Sequence, residues 1–190
     1  MQNESHPVQT VEELEEKLDQ FQGLKEVKIS IHALIRLLQA WKQEEEKHIE
    51  YTPVPLHLIF AGESGTGRTQ AAGLMGQIYH ALGCLSDGGL VEAEASELNA
   101  SSELPEKAEG KILLLSHPDG LTPEGAERLE ALLNCQQENL VIILKGTQQE
   151  TEAMFEKLPS LRILFSQYFV FADFQGEDFQ EYIDNKGSEI

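Results

Sequence analysis

The most specific chemical pattern in the chain is Gly62-Glu63-Ser64-Gly65-Thr66-Gly67-Arg68-Thr69. Gly62, Gly65 and Gly67 can reach backbone angles closed to other residues, so consecutive N–H groups can turn inward around an anion. A helix that follows at once adds the positive end of its dipole. The spacing fits the template G-x-x-x-x-G-K-[S/T] of a phosphate-binding loop, except that Arg68 stands at the lysine position. The Thr69 hydroxyl could face a metal, although as a lone ligand it is weak.

The elements around the loop are those such a site needs. Leu56-His57-Leu58-Ile59-Phe60-Ala61 is an apolar run too short for a buried helix, which predicts a strand entering the loop. Arg68 to Leu82 predicts the helix leaving it, with Ala71, Ala72, Leu74, Met75, Ile78, Tyr79 and Leu82 inward and Gly83 closing it. Further strands are predicted at Leu90 to Ala95, where Glu92 and Glu94 alternate as on an edge, at Ile112 to Leu115, at Leu140 to Leu144 and at Tyr168 to Phe171. Between them, Ser96 to Lys111 is expected to be mostly loop. Thr122-Pro123-Glu124 opens a helix carrying Leu129, Leu132 and Leu133, and Thr147 to Glu150 is a capping box before Met154, Phe155 and Leu158. A short helix is expected over 177–183.

Upstream of the loop, Thr10-Val11-Glu12-Glu13 is a capping box that opens a helix over 11–21. Gly23-Leu24 interrupts it, and Leu24, Val27, Ile31, Leu34, Leu38 and Trp41 then step along a longer amphipathic helix. The prolines at 53 and 55 mark a linker. The resulting division is an N-terminal helical extension over 1–50, a linker over 51–55 and an α/β domain over 56–190. Alternating strands and helices predict a mainly parallel sheet of five strands covered on both faces, a three-layer sandwich with the loop at the carboxyl end of its strand.

A net charge of −19, from 33 acidic against 14 basic residues, argues against a nucleic-acid or anionic-membrane partner and favours a basic protein. Cys84 and Cys135 stand alone and lack metal or disulfide spacing, as in a reducing compartment. Residues 1–10 lack the apolar core of a signal peptide, and no long apolar run occurs elsewhere, so a cytoplasmic protein is expected.

Taken together, these residues resemble the CbbX/CfxQ-type AAA+ ATPases, the group that includes red-type Rubisco activase and stage V sporulation protein K. The likeness starts at Gly23-Leu24-Lys25-Glu26-Val27-Lys28 and runs through the loop, Gly76 to Gly83 and Leu90-Val91-Glu92. It resumes at Ile112 to Leu115, Asn139 to Ile143 and Leu158-Pro159-Ser160-Leu161, with Phe165 and Phe171. It implies an AAA+ large-subdomain fold of the P-loop NTPase class. It also implies ATP or ADP, with or without Mg2+, at residues 62–69, and contact between the base and Gly23 and Leu24.

Against that pattern, Ser116 and His117 fall where the family has an acidic pair that holds magnesium and polarises water. The arginine finger falls near Leu164, with Arg162 two places earlier. The stretch 99–111 is short for a substrate-threading loop, and the sequence reaches Ile190 before the family's small helical lid, so a domain without that lid is expected. Losses at functional positions that spare the core point to a degenerate, non-hydrolysing member with no catalytic residue of its own, acting as a protein-binding or regulatory module. Its partner could then be an active AAA+ relative. Two alternatives stay open: an active NTPase that uses Arg68, with Asp119 recruited to the metal, and an acidic scaffold that requires no cofactor. Ser116, His117 and Asp119 as a hydrolase triad is disfavoured, because neighbours in a turn point apart.

Overall fold

The computed structural model describes residues 9–21, 24–47, 56–100, 103–134, 139–165 and 167–172. The expectations for Gly23, the linker over 51–55, Cys135 and the helix over 177–183 lie outside them. Five strands form one sheet: β1 (Leu58–Gly62), β2 (Leu90–Glu94), β3 (Lys111–Ser116), β4 (Leu140–Gly146) and β5 (Gln167–Phe171). Their order is β2-β3-β4-β1-β5 and every pairing is parallel. A sheet so connected needs a crossover after each strand. Those crossovers carry α3 (Arg68–Ala81), the one-turn α4 (Leu104–Lys107), α5 (Pro123–Asn134) and α6 (Gln148–Lys157). Ahead of β1 stand α1 (Val11–Asp19) and α2 (Lys25–Glu46).

Strand periodicity of two splits the apolar residues between two layers. Leu58 and Phe60 of β1, Ile112 and Leu114 of β3, Val141 and Ile143 of β4 and Phe169 and Phe171 of β5 join α1, α2 and α3 in one layer. Ile59, Leu113, Leu115, Ile142 and Leu144 face the other way, toward α5 and α6. All of β1 is buried, as a strand covered on both faces must be. The predicted capping boxes are present: Thr10 and Thr147 each accept from the backbone of the glutamate three residues on. The stretch 96–111 is more ordered than the expected loop, with a 3-10 helix at Ala95–Asn99 and the single turn of α4, because Ala95, Leu98 and Leu104 are buried against the sheet.

α1 and α2 are joined by charge as well as by packing. Glu15, on α1, contacts His32 at 3.1 Å and Arg36 at 2.9 Å on α2, and His32 also meets Asp19 at 2.8 Å. The Asp19 carboxylate holds the His32 imidazole above its ordinary pKa, with Glu15 adding to it and partial burial opposing. Leu38 is buried and Trp41 packs against the same layer, so this end of α2 belongs to the core.

A second histidine behaves in the opposite sense. His57 precedes β1, and its Nδ1 accepts the backbone N–H of Ile142 at 3.0 Å, which fixes the neutral ring with its proton on Nε2. Burial lowers its pKa from 6.5 to about 4. Above pH 6.5 neither state carries the proton; between 6.5 and about 4 only the unfolded chain does, so His57 makes the fold weaken as pH falls through that window. His32 contributes fully below the ordinary histidine range and fades as pH rises through its raised value. In urea unfolding, the stability that wild type loses relative to His57→Asn between pH 7 and 4 is expected to be about 3 kcal/mol. Parallel pH profiles for the two proteins would exclude this role.

Candidate functional site

The loop begins where β1 runs out of room. A Cβ on Gly62 would stand 2.5 Å from the carbonyl oxygen of Phe171 and 2.9 Å from its Cβ, so only glycine lets β1 keep its pairing with β5 at that point. Gly65 and Gly67 then take φ of 81° and 88°, in the left-handed region. The Thr66 hydroxyl donates to the Glu63 carbonyl at 2.7 Å and closes the turn. Arg68 is the first residue of α3, so the loop delivers its chain to a helix N-terminus. Leu24, which caps α2 in a left-handed conformation, has its Cδ1 3.8 Å from where a Gly67 Cβ would be. The structure thus brings Leu24 to the loop.

The charges around the loop are of both signs. Arg68 is half-buried, and burial lowers the pKa of its guanidinium, with the Glu150 and Glu63 carboxylates acting against that. From the end of β4, Lys145 reaches back so that its Nζ donates to the Thr69 hydroxyl oxygen at 3.1 Å. The same ammonium lies 3.9 Å from Glu92 on β2, and the Lys145 side chain is 20% exposed. In the sheet, Lys145 is level with Ser116 of β3, which is level with Glu94 of β2.

His117 leaves β3 with φ of 54°, a conformation uncommon outside glycine and short polar residues. Its Nδ1 lies 2.7 Å from a Glu94 carboxylate oxygen, and that hydrogen bond raises the pKa of the imidazole. His117 is therefore engaged with Glu94 and not with Ser116, which removes the geometry of a hydrolase triad. Asp119 is exposed on the turn that follows. Arg162 lies in the 3-10 turn before β5, with its guanidinium 4.9 Å from the centre of the Phe155 ring. It lines a groove of about 590 Å³ with Ile59, Phe155, Phe165 and Tyr168, on the α6 side of the sheet.

Sequence reasoning missed Glu92 and Glu94 as members of this site, and read Lys145 only as part of the segment 145–147 after the fourth strand, where the wider superfamily places a polar residue sensing the terminal phosphate. The alternation of Glu92 and Glu94 with small residues was legible. That alternation puts both on the α3 side of the sheet, where Lys145 also points, but only the strand order makes them neighbours.

A divalent metal does not fit the donors in place. A Mg2+ ligated by Thr69 at about 2.1 Å would lie within ~5 Å of the Lys145 ammonium. Charges of +2 and +1 at that separation repel by roughly 6 kcal/mol at an effective dielectric near 20. Among the described residues no group of three or more His, Cys, Asp or Glu side chains could hold a metal ion.

The fold, with the loop between β1 and α3, is similar to that of solved structures of variants of Thermotoga maritima RuvB. One superposes with a TM-score of 0.57 at 17% identity, covering 90% of this chain and 53% of that one. The fold is that of the P-loop AAA+ proteins. In sequence, the chain is 29% identical over 186 residues to protein CbxX of Cupriavidus necator, covering 88% of this chain and 59% of the relative. Protein CbbX of Cereibacter sphaeroides gives 29% over 191 residues, covering 91% and 61%. Stage V sporulation protein K of Bacillus subtilis gives 25% over 181, covering 86% and 56%.

This chain is a relative of the CbbX/CfxQ-type AAA+ proteins. It spans about three fifths of the length of those curated relatives. No family model matches it. Among the described residues no helix is long and apolar enough to cross a membrane.

The two kinds of loop glycine separate by substitution. Gly62→Ala is expected to cost about 3 kcal/mol by forcing β1 and β5 apart. Gly65→Ala, with open space around it, is expected to cost only the ~1 kcal/mol of a left-handed alanine. Urea midpoints of the two variants check this, and equal losses would show that β5 does not constrain the loop.

Proposed function

We propose that the chain is an AAA+-type module that holds the phosphates of ATP or ADP, or a simple oxyanion, at residues 62–69 without hydrolysing it. It acts in the cytoplasm by binding another protein. The observation that carries this reading is the pairing at the ends of β3 and β4. The Thr69 hydroxyl is held by Lys145, and the position beside it offers Ser116 and a His117 tied to Glu94. Phosphoryl transfer to water needs a carboxylate to hold magnesium and orient the nucleophile. Neither Ser116 nor His117 supplies one, and the carboxylates on the neighbouring strand are engaged, Glu94 by His117 and Glu92 beside the Lys145 ammonium.

The anion-holding half of the proposal rests on the loop. Gly65 and Gly67 take left-handed angles that allow amides to turn inward, α3 starts at the loop's end, and Arg68 and Lys145 bring two cations. Leu24, with Gly23, is the proposed base contact. The protein-binding half rests on the charge of −19 and on the relatives, which makes a basic protein or an active AAA+ protein the partner of choice.

Two measurements test it. With ATP and Mg2+, phosphate release is expected to stay at the level without protein. ADP at 10 mM is expected to raise Tm by roughly 3 to 6 °C if Kd is near 1 mM. Arg68→Ala should abolish that shift. Turnover that disappears in Arg68→Ala would make the chain an enzyme and end this reading.

A further inference from the structure

We infer that the Lys145 ammonium takes the place of a divalent cation at the loop, so that a diphosphate or triphosphate is held there without metal; this rests on the phosphate-holding reading above. In the loop template the hydroxyl after the basic residue faces the metal. Here the Thr69 oxygen already accepts from Lys145 Nζ at 3.1 Å. An ammonium is a donor only, with three protons. One is spent on Thr69, and the Glu92 oxygen at 3.9 Å is beyond hydrogen-bonding distance. The remaining donor capacity of the ammonium sits beside the first turn of α3.

The sheet fixes this position from behind. Lys145 belongs to β4, which pairs with β1 on one side and β3 on the other, so its backbone cannot drift from the loop strand. Glu92 on β2 faces the ammonium and orients it by charge. Around the loop the structure therefore provides two fixed cations, Arg68 on α3 and Lys145 on β4. Both can meet anionic oxygens directly, and both are built into the chain.

Titration calorimetry with ADP, in EDTA and again in excess MgCl2, separates the possibilities. ADP is expected to bind no more tightly in MgCl2 than in EDTA, since the metal can only compete with the ammonium for its phosphates. Lys145→Gln should weaken binding in EDTA by tenfold or more, while Lys145→Arg, which keeps the charge, should lose much less. Far-UV circular dichroism verifies that each variant is folded. A second readout needs no variant: Mn2+ should leave the amide resonances of residues 67–69 unbroadened in wild type.

Affinity for ADP that is tenfold tighter with Mg2+ would overturn the inference and leave the phosphate-holding module standing. So would Mn2+ broadening at residues 67–69. Absence of ADP binding in both buffers would overturn the two together.

Discussion

Where β1 ends, the backbone of β5 leaves no space for a side chain. The contact between Gly62 and Phe171 fixes the last residue of β1, and with it the point at which the chain turns into the loop. Phe60 strengthens the same junction, with its ring 5.6 Å from that of Phe169 and 4.9 Å from that of Phe171. Because such a contact is between backbones, it cannot relax by rotating a side chain. The start of α3, the aim of Arg68 and the reach from Lys145 to Thr69 all follow from where that strand stops.

The chemistry at the loop is set by a competition among nearby charges. Glu63, Glu92 and Glu150 lie around a site whose backbone attracts anions, and each tempers a cation that would otherwise dominate. The pair Glu94 and His117 closes off the end of β3. In most phosphate loops a bound metal supplies the charge that balances the ligand. In the proposed complex that charge would come from Lys145, which the sheet holds in place.

What the sequence made legible was local. The loop and its flanking strand and helix were readable because glycine spacing, apolar run and helical period all fall within residues 56–82. The capping boxes at Thr10 and Thr147 were readable because their partners are three residues away. The family likeness carried the fold class, a parallel five-stranded sheet of the P-loop type. What it could not carry were contacts between distant segments: His57 with the amide of Ile142, 85 residues on, or Lys145 with Thr69, 76 residues away. Lys145, near the end of β4, was legible only by its position, where the wider superfamily has a phosphate-sensing polar residue. Its role depends on β4 lying beside β1, which no local pattern records. The left-handed turn at His117 was equally hidden, since the enrichment of histidine in that backbone is too weak to place a turn.

The placement of α1 and α2 has a consequence for how the protein can be divided. Leu14, Leu18, Ile31, Ile35 and Leu38 share one apolar layer with Met75, Ile78 and Tyr79 of α3, and the Tyr79 hydroxyl reaches the carbonyl of Leu56. The segment that precedes the loop strand thus roofs the outer flank of the very helix the anion would sit upon. A fragment trimmed back to Leu56 would bare that flank to water, so its aggregation or loss of ligand would report a missing roof and not a missing binding site.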